Sequence, residues 1–128
     1  MSSVIELTPN DFAVNNPQKL SDKYIGKITI VKFYSPQCGH CINSQPEYEN
    51  LANALKNDPK FIIAKFNCVN THSAYELISS LNKFSNGYRV EGYPTHIIFV
   101  DSLYFENYEG KRDMYSILNH LTKINTFN

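Results

Sequence analysis

Apolar residues along this chain fall into short blocks parted by turn signals. Val4 to Leu7 is a short, largely apolar run. Thr8 and Pro9 then stand as N-cap and first helical position of a brief helix, which Asn15, Asn16 and Pro17 end. KITIVKFY, Lys27 to Tyr34, is rich in β-branched and aromatic residues and predicts a strand, stopped by Ser35-Pro36. A helix is expected from about Cys38 to Asn57, with Ile42, Leu51, Ala54 and Leu55 along one side and Pro46 kinking it from inside. FIIAKF, Phe61 to Phe66, predicts a second strong strand, and Tyr75 to Phe84 a helix with Leu77, Ile78, Leu81 and Phe84 at helical spacing. Asn86-Gly87 marks a turn. HIIFV, His96 to Val100, and LYFENY, Leu103 to Tyr108, predict two strands joined as a hairpin through Asp101-Ser102. Met114, Ile117, Leu118 and Leu121 give the spacing of a last helix.

The order is β-α-β-α-β-α-β-β-α. Alternation that closes on a hairpin implies an α/β fold, with a central mixed sheet flanked by helices on both faces. No repeat, low-complexity segment or linker interrupts residues 1–128, so one domain is expected. A chain of 128 residues buries about two thirds of the surface it exposes unfolded and needs no disulfide or metal merely to fold.

Charge narrows the function. Twelve basic and twelve acidic residues cancel, and no basic stripe offers itself to nucleic acid. No apolar run approaches the roughly 18 residues of a membrane span; IGKITIVKFY is broken by two lysines. The opening MSSVIELTPNDF has neither a basic nor an apolar leader segment, and KINTFN holds no retention tetrapeptide. The chain as given is therefore expected in the cytoplasm or, for a viral protein, in the virion or viral factory. Heavy use of Asn, Lys, Ile and Tyr suits an AT-rich genome, such as that of a protist or a large DNA virus.

Three cysteines, Cys38, Cys41 and Cys68, are too few and too odd in number for a disulfide framework. Within PQCGHC the pair is set where a strand ends and a helix begins. Unpaired N–H groups and the positive end of the helix dipole favour a thiolate at Cys38. A protonated His40 adds positive charge. Cys41 lies about one turn further on, within reach of Cys38, and Gly39 leaves room for a partner's sulfur. This spacing supplies an attacking thiol and a resolving thiol. A zinc site would need Cys68, His72, His96 or His120 as further ligands, and no second close pair is present. Haem attachment needs His directly after the second cysteine, where Ile42 stands.

VKFYSPQCGHC, Pro46, GYPT at 92–95 and YEGKR at 108–112 together resemble the thioredoxin superfamily, and most of all the catalytic domains of protein disulfide isomerases. The resemblance runs from the first strand to the last helix. It implies that Cys38 attacks, Cys41 resolves, and His40 stabilises the ionised Cys38. It implies a cis bond at Pro94, flanked by Tyr93 and Thr95, in a loop that offers backbone groups to an extended substrate. It implies that Arg112 approaches the site and lowers the pKa of Cys41.

Three departures accompany the resemblance. Lys32 stands where the family has a buried acid; it can act as a base, stabilise a thiolate, or snorkel outward. Gln37 replaces a tryptophan on the substrate-facing surface. The segment from Asn67 to Pro94 is longer than usual, which makes it a candidate for specific recognition. Cys68 reads as a small apolar core residue.

The implied activity is thiol–disulfide exchange in cysteine-containing protein substrates, with no cofactor beyond the Cys38–Cys41 pair. A flavin-linked sulfhydryl oxidase or glutathione would recharge it. His40 favours the isomerase end of the range, near about −180 mV, over the thioredoxin end near about −270 mV. A general reductant and a redox-inactive peptide-binding or chaperone module are the alternatives.

Overall fold

The computed structural model describes residues 2–14, 16–83 and 89–127. Its strands are β1 (Ile5–Leu7), β2 (Phe12–Ala13), β3 (Asn16–Leu20), β4 (Ile28–Tyr34), β5 (Phe61–Asn67), β6 (Thr95–Val100) and β7 (Leu103–Tyr108). Its α-helices are α1 (Gly39–Leu55), α2 (His72–Asn82) and α3 (Met114–Phe127). The strands form one mixed sheet in the order β1-β5-β4-β6-β7-β3-β2. β1, β5 and β4 run parallel, and β6, β7, β3 and β2 continue antiparallel from β4.

The expected helix after Thr8 is a single 3-10 turn, Pro9–Asp11, with Thr8 as its cap. Beyond Asp11 the chain forms the β2–β3 ribbon in place of further helix. Pro17 lies inside β3, a position a strand interior rarely accepts. It is tolerated because the pairing with β2 shifts register between Phe12 and Ala13, and Lys19↔Leu103 is the pairing that joins β3 to β7. The third helix begins at His72, capped by the Thr71 hydroxyl, three residues before the expected start. The Asn86-Gly87 turn and Phe84 lie outside the described residues. At the β6–β7 hairpin both Asp101 and Ser102 have positive φ, 54° and 67°, as a two-residue turn matched to strand twist requires.

Period-two alternation divides the core. Val31, Phe33, Ala64, Phe66, Ile97 and Phe99 pack on the face that carries α2. Ile28, Ile30, Ile63 and Ile98 pack on the other face against α1 and α3, with Tyr48, Leu51, Ile117 and Leu121. The buried side of α1 is Cys41, Tyr48, Leu51 and Ala52, whereas Ile42 and Ala54 are exposed. The expected apolar stripe is thus rotated, because Tyr48 enters the core and donates its hydroxyl to the carbonyls of Ile30 and Ala64.

Candidate active site

β4 ends at Tyr34, and Cys38 caps α1 with extended backbone angles, φ −82° and ψ 119°. The cap is the thiol itself: Cys41 N–H donates to Cys38 Sγ at 3.3 Å. Across the site the Cys38 thiol donates to the Tyr93 carbonyl at 3.3 Å. The Tyr93–Pro94 peptide bond is cis. Cys38 is half-buried, Cys41 is buried, and both are free thiols.

Their surroundings drive the two thiols apart. Hydrogen bonding from the Cys41 side chain, then backbone N–H groups of Cys41 and His40 and the charge of Lys32, hold Cys38 below the usual thiol range against some desolvation. Burial, and then the bond to Cys38, push Cys41 up to about 11. The pair therefore reads as one ionisable outer sulfur and one protonated inner sulfur.

Gly39 and His40 are exposed at the start of α1, and a Cβ added at Gly39 would meet nothing within 4 Å. The approach to Cys38 is therefore open from that side. Gln37 is exposed beside it, Pro94 is buried, and Tyr93 and Thr95 are half-buried, with Thr95 Oγ1 donating to the Gly92 carbonyl at 2.6 Å. Ile42, 58% exposed, adds an apolar surface on the far side of the pair.

Lys32 lies under the helix and does not snorkel. It is 1% exposed, and its Nζ donates to the Cys41 carbonyl and to Gln45 Oε1, each at 2.8 Å. Burial pulls it down to about 8, with the charges of Lys65 and Arg112 acting the same way and those of the thiolates acting against. Arg112 is exposed in a cleft lined by Pro94, Thr95, His96 and Tyr108, and no hydrogen bond or ion pair joins it to another described residue. The structure thus gathers Cys38, Gly39, His40, Cys41, Tyr93, Pro94 and Lys32 at one point and leaves Arg112 at the rim.

His96, Gln45 and Tyr48 belong to this setting without having been singled out as its members. His96 is 3% exposed and pairs in register with Lys32. Burial, then Lys32 and Arg112, press its pKa to about 3, so it is neutral. Strand register put it there, and no local motif carries that information. His72 instead pairs with Glu76 along α2, and His120 on α3 pairs with Glu106 on β7. Among the described residues no three His, Cys, Asp or Glu side chains converge as a metal site. Cys68 is buried, pushed up to about 12 by burial, and its thiol donates to the Phe66 carbonyl at 3.7 Å.

A family model described as thioredoxin matches residues 4–123. The chain belongs to the thioredoxin family. It is 34% identical over 123 residues to protein disulfide-isomerase 1 of Dictyostelium discoideum, covering 95% of this chain and 30% of that protein. It is 35% identical over 96 residues to a protein disulfide-isomerase of Zea mays, covering 73% of this chain and 17% of that one. The first thioredoxin domain of mouse protein disulfide-isomerase A4 superposes with a TM-score of 0.67 at 29% identity, over 95% of this chain and 75% of that one. The chain therefore spans less than a third of the length of these two full-length relatives.

Proposed function

We propose that this domain catalyses thiol–disulfide exchange in cysteine-containing protein substrates, forming or rearranging their disulfides as a protein disulfide isomerase does. One observation carries the reading: a half-exposed thiol of lowered pKa at a helix N-terminus, one turn from a buried thiol of raised pKa. Such a pair separates the two tasks of the chemistry. Cys38 meets the substrate as thiolate. Cys41 stays protonated and silent until a mixed disulfide on Cys38 needs resolving.

The same geometry supports the other roles. The open approach at Gly39 admits a substrate sulfur, and His40 stands exposed beside Cys38 at the start of α1. The Tyr93 carbonyl, turned to Cys38 beside Pro94, is a backbone acceptor for an extended substrate strand, with Gln37 and Thr95 at its edges. Arg112, at the rim, contributes long-range positive charge. Both redox equivalents reside on the two sulfurs, so no cofactor is invoked; glutathione or a flavin-linked sulfhydryl oxidase would reoxidise the pair.

Recovery of activity by a reduced, unfolded disulfide protein in a glutathione buffer tests this. The wild type should accelerate recovery. Cys38→Ser should fall to the buffer's own rate. Cys41→Ser should accumulate a mixed disulfide on Cys38, visible by mass. If both variants match the wild type, the domain is a binding module and the redox reading is wrong.

A further inference from the structure

Register sets a row of side chains across the sheet beneath the first turn of α1. Glu6 on β1 faces Lys65 on β5, Lys65 faces Lys32 on β4, Lys32 faces His96 on β6, and His96 faces Tyr108 on β7. Three basic side chains thus stand side by side. Like charges directly opposite one another destabilise a sheet, so stability does not account for the row. Lys65 reaches the exposed surface, 3.9 Å from Glu6. Lys32 does not.

An ammonium out of water needs an anion or a full set of acceptors. Lys32 has three donors and two hydrogen-bond acceptors, and both acceptors are neutral: the Cys41 carbonyl and the Gln45 amide. Its ring neighbour is Tyr48, 5.5 Å away. Among the described residues no carboxylate lies within ion-pair distance. Glu49 stands one amide further out, accepting from Gln45 Nε2 at 2.7 Å. The groups that face Lys32 are thus Lys65 from β5, His96 from β6, Arg112 from the β7–α3 connection, and Cys38, Cys41, Tyr48 and, through Gln45, Glu49 from α1. Lys65 and Arg112 oppose its charge, and the two sulfurs favour it when ionised.

We infer that Lys32 is the buried counter-ion of the reduced dithiol, stabilising the state in which Cys38 is a thiolate and taking up a proton when that state forms. The inference rests on the exchange reaction proposed above. A substrate thiolate attacks Cys38; the substrate–Cys38 bond forms and the Cys38–Cys41 bond breaks. Cys41 leaves with the electron pair and takes one of the substrate's two protons by way of solvent. The substrate's second thiolate then attacks its own sulfur in the mixed disulfide and expels Cys38 as thiolate. The substrate has lost two electrons and the enzyme has gained them. The second proton binds Lys32 wherever the oxidised site had left the amine neutral.

The consequence is a signature in pH. In the reduced protein burial lowers the pKa of Lys32 to about 8, and negative charge on the dithiol acts against burial. In the disulfide that support is gone, so the oxidised protein holds the proton less tightly. Just below pH about 8, reduction therefore takes up one proton more than the cysteines account for, and the potential falls more steeply with pH there.

Glutathione titration from about pH 6 to about pH 9, with alkylation and mass counting, tests the inference on the whole chain. Lys32→Met should shift the equilibrium about tenfold toward the disulfide, a potential about 30 mV lower. It should also abolish the steep segment and move the Cys38 thiolate absorbance to higher pH. Lys32→Arg should keep a potential near that of the wild type. Gln45→Glu, at a partly exposed position, gives the ammonium a carboxylate and should move the steep segment upward in pH. Lys32→Met and Gln45→Glu curves that superimpose on the wild type would overturn the counter-ion. A wild type that forms no disulfide at any buffer ratio would instead overturn the exchange reaction, and the counter-ion with it.

Discussion

Among the described residues, Asp11 and Lys32 are both buried, and they are buried in opposite ways. Asp11, 8% exposed, lies in the 3-10 turn before β2. Its carboxylate accepts from the Thr8 N–H at 2.8 Å and from the Tyr24 hydroxyl at 2.8 Å, and Lys23 Nζ stands 2.8 Å away. Burial raises its pKa, but Lys23, the Thr8 N–H and the Tyr24 hydroxyl together outweigh burial and hold it below its ordinary value. Lys32 is buried more deeply, has no anion in hydrogen-bond contact, and is pulled away from its charged form. Depth of burial is therefore a poor guide to role. A compensated charge holds a turn in place, while an uncompensated charge beneath two sulfurs costs stability that the fold recovers elsewhere.

The sharpest way to break the comparison is to remove each charge in turn. Asp11→Ala leaves the Tyr24 hydroxyl buried without its acceptor and the Thr8 N–H uncapped. It should cost about 2–3 kcal/mol in a urea denaturation. The redox equilibrium of the surviving folded protein should not move. A change in potential would mean that the two regions are coupled.

Lys32→Met should do the reverse. Removing a buried charge that has only neutral acceptors should leave the stability of the oxidised protein at pH 7 unchanged or raise it by about 1 kcal/mol. A loss of more than that would make Lys32 a structural residue like Asp11 and erase the distinction between them.

This contrast was only half legible along the chain. β4, β5, β6 and β7 were readable because their apolar and β-branched runs are continuous, and α1 because Ser35-Pro36 and the PQCGHC junction fix its start. β2 and β3 were not. Phe12–Ala13 is two residues long, and β3 opens on Asn16 and Pro17, which read as a helix stop. Their pairing is decided by a distant neighbour, Leu103, and not by local propensity. The rotated face of α1 has a similar cause, since Tyr48, outside the expected apolar side, finds two carbonyls in the core. At the site, Cys38 and Cys41 carry their chemistry in their own spacing. Lys32 was visible as an anomaly, but its relation to Lys65 and His96 exists only through the register of three strands.

The smallest effect separates the two charges by sign. Asp11 has a folded pKa below its ordinary value of 3.8, so the unfolded chain binds the proton first as acid is added. Its contribution to stability is present above that ordinary value and is lost as pH falls through the folded one. Lys32 has a folded pKa of about 8 against an ordinary 10.5, so between those values the unfolded chain keeps a proton that the folded chain has shed. There stability must rise with pH, by about 1 kcal/mol between pH about 8 and about 9. Cys41 and Cys68, whose pKa values folding raises, pull the other way as their unfolded thiols ionise. The Lys32 contribution is therefore read as the difference between reduced wild type and reduced Lys32→Met. That difference should grow in favour of the wild type over this interval and be flat around pH 5, where Lys32 is charged in both states. A difference that stays flat through pH 9 would mean that Lys32 keeps its proton throughout, as a compensated charge would.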